Sequence, residues 1–178
     1  MLRKTAEDHR TDAGELPAGT YRINRANSTI SITTRHLFGL GKVEGTFELR
    51  GGQIDVAHPI EQSTATAVVG ADSFTTGNSR RDNDVTSAKF VDAAAYPDIT
   101  FVSDRLQYVD GSLIVYGSLS AHGIRSPIEL RIDQISSHDG EVTLSAEARI
   151  DRYDFGVTAA KGMAARHLDL HLQVTARS

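Results

Sequence analysis

The chain has 178 residues, 39% of them hydrophobic, with a formal charge of −4 and no cysteine. That length builds one domain with a sizeable core. The missing cysteines exclude disulfides and thiolate metal sites, and interspersed charges without a basic stripe argue against nucleic acid as a partner. No apolar run approaches the ~20 residues of a membrane helix, and the first residues lack the apolar segment of a signal peptide, so a cytoplasmic location is the expectation.

Residues 1–18 are polar, charge-mixed and without period, as in a flexible tail. From Gly19 the pattern is β. Ile30, Ile32, Thr34 and His36 share one face of a strand, and Thr29, Ser31, Thr33 and Arg35 share the other. Phe38 to Gly41 reads as a turn. Val43, Gly45, Phe47 and Leu49 then alternate with polar residues. Gly51-Gly52 reads as a second turn, after which residues 53–56 pair back. Residues 63–71 form another strand of small side chains.

Residues 76–101 break this rhythm. Gly77, Asn78 and Ser79 turn the chain, residues 80–84 carry a dense charge cluster, and Val85, Ala88, Phe90, Val91, Ala94 and Ala95 follow at helical spacing. Tyr96-Pro97 stops the helix, because the residue before proline is pushed out of the α region. The spacing predicts a short helical insertion at about 77–95, a cap over something hollow.

The β pattern then resumes. Asp110-Gly111 and Asp139-Gly140 each lie between alternating runs, the strongest short hairpin signal. Residues 122–127 read as a wider turn. Ile128, Leu130 and Ile132 alternate, as do Val142, Leu144, Ala146, Ala148 and Ile150. Residues 152–165 are irregular. Leu168, Leu170, Leu172 and Val174 form the last strand.

About eight antiparallel strands with one apolar face each fit either a sandwich or a closed barrel. The run of hairpins and the removal of exposed edges favour the eight-stranded barrel, which is wide enough to hold its own side chains or one small ligand. Gly45, Ala65, Ala67, Gly117, Ala146 and Ala148 point inward. They either leave the interior underfilled or let tightly curved strands pack.

Other motifs carry less. Gly39, Gly41 and Gly45 suggest a dinucleotide loop, but a helix must follow such a loop and here a strand does. His167, Asp169 and His171 share one strand face, ~6.6 Å apart in pairs; an exposed polar face is the stronger reading than a metal site. There is no Gly-x-Ser-x-Gly for nucleophilic catalysis. His36 ends a strand as either a ligand contact or a rim residue. Asp82 either caps the helix or pairs with an arginine, and Arg81 either joins it or faces an anion.

Tyr21-Arg-Ile, Ser28-x-Ile30, His36-Leu37, Gly45-x-Phe47, Thr76-Gly77, Arg81-Asp82, Ser87, Phe90-x-Asp92 and Tyr96-Pro97-x-Ile99-x-Phe101 form an ordered series. Gly117-x-Leu119, Gly123-x-x-x-Pro127-x-x-Leu130 and Arg152-x-Asp154-Phe155-Gly156 complete it. In this series residues 19–176 resemble the YceI-like family, bacterial lipocalin-like proteins that bind isoprenoids and other long-chain amphiphiles. Two positions depart from the family pattern, with Asp84 in place of a frequent histidine and Lys89 in place of a common acid.

The resemblance implies a lipocalin-like β-barrel domain over residues 19–178, with an apolar lumen for a prenyl or acyl chain. It implies no cofactor and no established catalysis. The expected partner is a long-chain isoprenoid or acyl amphiphile; a homodimer stays open. A lipid-modifying enzyme and a packed, stress-associated barrel are the alternatives to a carrier. Shared strand faces and the insertion, with Phe155 added by the resemblance, give the candidate ligand contacts as Ile30, Ile32, His36, Val43, Phe47, Arg81, Phe90, Phe101, Leu113, Val115, Leu119, Leu130, Leu144 and Phe155.

Overall fold

The computed structural model describes residues 16–35 and 41–178. Among them, ten strand segments form one antiparallel sheet. They are β1 (Gly19–Ile23), β2 (Thr29–Arg35), β3 (Lys42–Phe47), β4 (Leu49–Val56), β5 (Thr64–Gly70), β6 (Asp98–Val109), β7 (Ser112–Ala121), β8 (Ile124–His138), β9 (Glu141–Asp151) and β10 (His167–Arg177). A turn of 3-10 helix at Arg25–Asn27 separates β1 from β2, and Glu48 alone separates β3 from β4. Each pair is therefore one stave with a break. The order β1-β4-β5-β6-β7-β8-β9-β10 closes where Ile23 meets Ala176. Farther along, β2 lies against β10 and β3 against β2. Counted by staves, the described residues form an eight-stranded, up-and-down closed barrel, in which β3 pairs with β2 on one side and meets Thr75 on the other.

The turns follow from local chemistry. Asp110 and Gly111 have φ of 50° and 80°, and Asp139 and Gly140 have 48° and 75°. Two left-handed residues match the twist of the flanking strands. His122 and Gly123, at 52° and 74°, make a third such turn. The wide turn expected over residues 122–127 is thus only two residues long, and Pro127 lies inside β8 opposite Ser118. Histidine enters the left-handed region more readily than most residues.

The Gly51-Gly52 turn is also corrected. Both glycines lie within β4, beside a bulge between Leu49 and Gly51. A Cβ on Gly52 would fall 2.5 Å from Ile23 Cδ1 and 2.6 Å from the Thr66 carbonyl oxygen. The glycine serves close approach, not reversal.

Within the expected 77–95 insertion, α1 spans Ser79–Thr86 and the remainder is turns. The Ser87 hydroxyl donates to the Asp84 carbonyl at 2.6 Å, and Ser87 is extended, with ψ of 169°. That carbonyl is the acceptor the next helical bond needs, so the side chain ends the helix.

The barrel interior has two unlike halves. One is packed with Leu16, Tyr21, Val56, Ile60, Leu113, Val115, Ile132, Val142, Ala146 and Ala176. Leu16, placed by its sequence in the tail, is buried there. Tyr21 Oη donates to the Pro17 carbonyl at 2.8 Å, and His58 Nε2 lies 2.8 Å from the Leu16 carbonyl oxygen. Residues 1–15 of the expected tail lie outside the described residues. The other half has a smaller buried set, Ile30, Phe47, Leu49 and Val69, and encloses space.

Candidate functional site

The insertion between β5 and β6 covers the hollow half and is fastened at several points. Arg50 on β4 bonds Asp72 at 2.7 Å and also Asp98, so it staples the beginning of the insertion to its end. Those bonds, led by the one to Asp98, raise the Arg50 pKa. Thr75 exchanges two backbone bonds with Thr46 of β3, at 2.9 and 3.0 Å. Phe74 then packs on Phe47 with ring centres 5.0 Å apart. Gly45 makes room for it, since a Cβ there would lie 2.5 Å from the Phe74 ring.

Asn78 caps α1 by accepting from the Arg81 amide at 3.1 Å. Asp82 turns back to accept from the Thr76 amide at 2.9 Å and its hydroxyl at 2.7 Å, and from the Thr75 hydroxyl at 3.2 Å. Burial works to raise the Asp82 pKa, but these hydrogen bonds outweigh it and hold the carboxyl below its ordinary value.

The connection from β9 to β10 lines the same cavity beside the insertion. Asp151 accepts from the Tyr153 amide at 3.0 Å and from Arg166 Nε at 2.8 Å. The bond from Arg166 is the main cause of its lowered pKa. Arg152, next in sequence, points inward and holds the carbonyls of Val157, Ala164 and Ala165.

These segments enclose a cavity of about 390 Å³. Its wall is Ile, Leu, Val, Phe and Ala apart from Thr34, Arg81, Asp84 and Arg152. β10 supplies Leu168, Leu170, Leu172 and Val174 in one inward row. At ~3.4 Å per residue and a tilt of ~40°, that row spans roughly 15 Å along the barrel axis. Ile23, Phe101, Leu130 and Leu172 reach both the cavity and the packed half, and so form its floor. The Phe101 ring lies over Gly117, where a Cβ would come within 2.6 Å of it. Helix α1 lies at the outer end, with Arg81 half-buried and Asp84 exposed.

Ten of the candidate contacts meet on this wall: Ile30, Ile32, Val43, Phe47, Arg81, Phe90, Phe101, Leu119, Leu130 and Phe155. Leu113, Val115 and Leu144 do not; they belong to the packed half. They share a strand face with cavity residues, but Leu113 precedes Leu119 by six positions, about 20 Å along the strand. His36 lies outside the described residues. The β10 row and Arg152 are wall residues that the sequence reading did not select. The alternation of leucines from Leu168 to Val174 is a signal that finds the row. His171 lies on the outer face, 3.2 Å from Glu147, and Asp169 lies 3.9 Å from Arg149. Among the described residues, no three His, Asp or Glu side chains group as metal ligands.

Known structures share this architecture. BcnA of Burkholderia cenocepacia superposes with a TM-score of 0.77 at 20% identity, over 86% of this chain and 98% of that one. A polyisoprenoid-binding domain from Saccharophagus degradans superposes with a TM-score of 0.67 at 13% identity, over 89% and 98%. At these identities the likeness concerns the fold. In sequence, the Escherichia coli protein YceI is 26% identical over 171 residues, covering 91% of this chain and 88% of that protein. The Salmonella arizonae protein YceI is 25% identical over 170 residues, covering 90% and 88%. Residues 21–176 match the YceI-like domain from end to end of the barrel, and the chain belongs to the YceI-like family.

Proposed function

We propose that the protein binds one long-chain amphiphile, an isoprenoid or acyl derivative, in the hollow half of the barrel and serves as its carrier or store. The observation that supports this most is the apolar wall around about 390 Å³, a volume within the ~300–1,000 Å³ usual for small-molecule sites. Each buried methylene contributes ~0.8 kcal/mol, so a chain laid against this wall supplies its own binding energy with few polar contacts. The description of the Saccharophagus degradans neighbour as polyisoprenoid-binding supports the same ligand class. We read the site as binding rather than catalysis because, among the described residues, its wall offers four polar side chains and no nucleophile set beside a base.

Gently purified protein should release a chain-bearing lipid in mass spectrometry. After delipidation it should bind a fluorescent fatty-acid or prenyl probe at one per chain. Failure to bind any such probe would sink the proposal, and turnover of lipid esters or prenyl pyrophosphates would replace it with an enzyme.

A further inference from the structure

One polar residue of the wall is unlike the other three. Arg152 is only 5% exposed, so it carries a full charge inside the protein. Burial lowers its pKa, yet a guanidinium stays protonated in proteins, and a buried charge needs compensation. Main-chain carbonyls give part of it. Nε donates to Ala165 at 2.8 Å, Nη1 to Val157 at 2.7 Å and Nη2 to Ala164 at 3.4 Å. Each nitrogen thereby uses one hydrogen, and the second hydrogens of Nη1 and Nη2 have no acceptor among the described residues. No described carboxylate lies within ion-pairing range. Asp151, whose field Arg152 feels, is held by Arg166 at 2.7 Å. The guanidinium carbon stands 5.8 Å from the centre of the Phe90 ring, and both residues line the cavity.

We propose that Arg152 anchors an anionic oxygen head group, a carboxylate or a phosphate monoester, at the outer end of the cavity. This rests on the carrier reading and gives its ligand a polarity. The pair of remaining N–H groups matches two oxygens of one oxyanion. Carbonyl dipoles solvate the cation but leave its net charge uncancelled, and an incoming anion cancels it in a water-poor site. The tail then runs along the β10 row toward the Phe101 floor. Helix α1 adds to the wall a second cation, Arg81, and a carboxylate, the more exposed Asp84.

The test uses the delipidated full chain and displacement of a neutral fluorescent probe by dodecanoate, dodecyl phosphate and dodecanol, at a pH where both acids are ionised. Wild type should bind one or both anions about tenfold or more tightly than the alcohol, the worth of a charge-assisted hydrogen bond. The tighter anion names the head group. Arg152→Gln should bring the ratio of anion to alcohol affinity near one. Arg152 also holds three carbonyls, so a second measurement keeps wild type. Its Nε–H resonance should shift with the anion and not with dodecanol. Equal binding of anion and alcohol, a preference that survives Arg152→Gln, or an unmoved resonance overturns the proposal and leaves the carrier reading standing. Binding of neither the probe nor any of the three removes both.

Discussion

Leu113 and Leu119 lie on one face of one strand and have opposite surroundings. Leu113 is 2% exposed amid the packed half, whereas Leu119 borders empty space. Leu113→Ala should therefore cost about 2–5 kcal/mol, because it cuts a cavity into close-packed atoms. Leu119→Trp should leave the melting temperature of delipidated protein unchanged and abolish probe binding, since the ring enters space a ligand would take. A loss of stability of roughly 1–3 kcal/mol would instead mark Leu119 as overpacked core. The contrast also explains what the sequence could convey. A period of two assigns each residue to a face, so Ile30, Phe47, Phe101 and Leu119 were legible as inward. It says nothing about depth along the barrel, so Leu113, Val115 and Leu144 were grouped with them. Arg152 was legible as part of a motif but not as buried, because the carbonyls that hold it come from residues 157–165, whose path no local pattern dictates.

The insertion and the β9–β10 connection are each fastened by a carboxylate. Asp82 and Asp151 both have lowered pKa values. A group depressed on folding contributes stability above its unfolded pKa, about 4, and loses that contribution as pH falls through the folded value. Acidification below the ordinary carboxylate range should therefore loosen these two elements first. Amide exchange should show the Thr76 and Tyr153 N–H groups losing protection before those of the β7–β8 ladder. Simultaneous loss would contradict this order. Asp82→Ala should reproduce the Thr76 effect at neutral pH. The elements themselves were partly readable. Asn78, the charge cluster and Tyr96-Pro97 bracketed the helix, but its early end at Ser87 depends on one hydroxyl choosing the Asp84 carbonyl. Gly51-Gly52 misled because paired glycines signal reversal locally, while their cause, Ile23 of another stave, is remote in sequence.

For the whole molecule, the floor sets a length. An extended hydrocarbon advances ~1.25 Å per carbon, given bonds of ~1.5 Å, so a span of roughly 15 Å takes ~12 carbons. Affinity across a series of fatty acids should climb to about that length and then level off, because further methylenes remain in water. Phe101→Ala should move the break to longer chains; a series that climbs without a break would show that the floor yields. Ligand at a hundredfold excess over Kd stabilises by about 2.7 kcal/mol, which should raise Tm by roughly 5–10 °C in a domain of this size. Eight staves, the hairpins and the meander were all visible in the sequence. The division of the interior was not, because it arises from which residues stack at each level after closure. That division makes the barrel a well and not a pipe. A chain cannot be threaded through from donor to acceptor; it must leave backwards through the opening by which it came. If the protein carries a chain between a donor and an acceptor as proposed, loading and unloading compete for one doorway, and the acceptor has to meet the same end of the protein that the donor has just vacated.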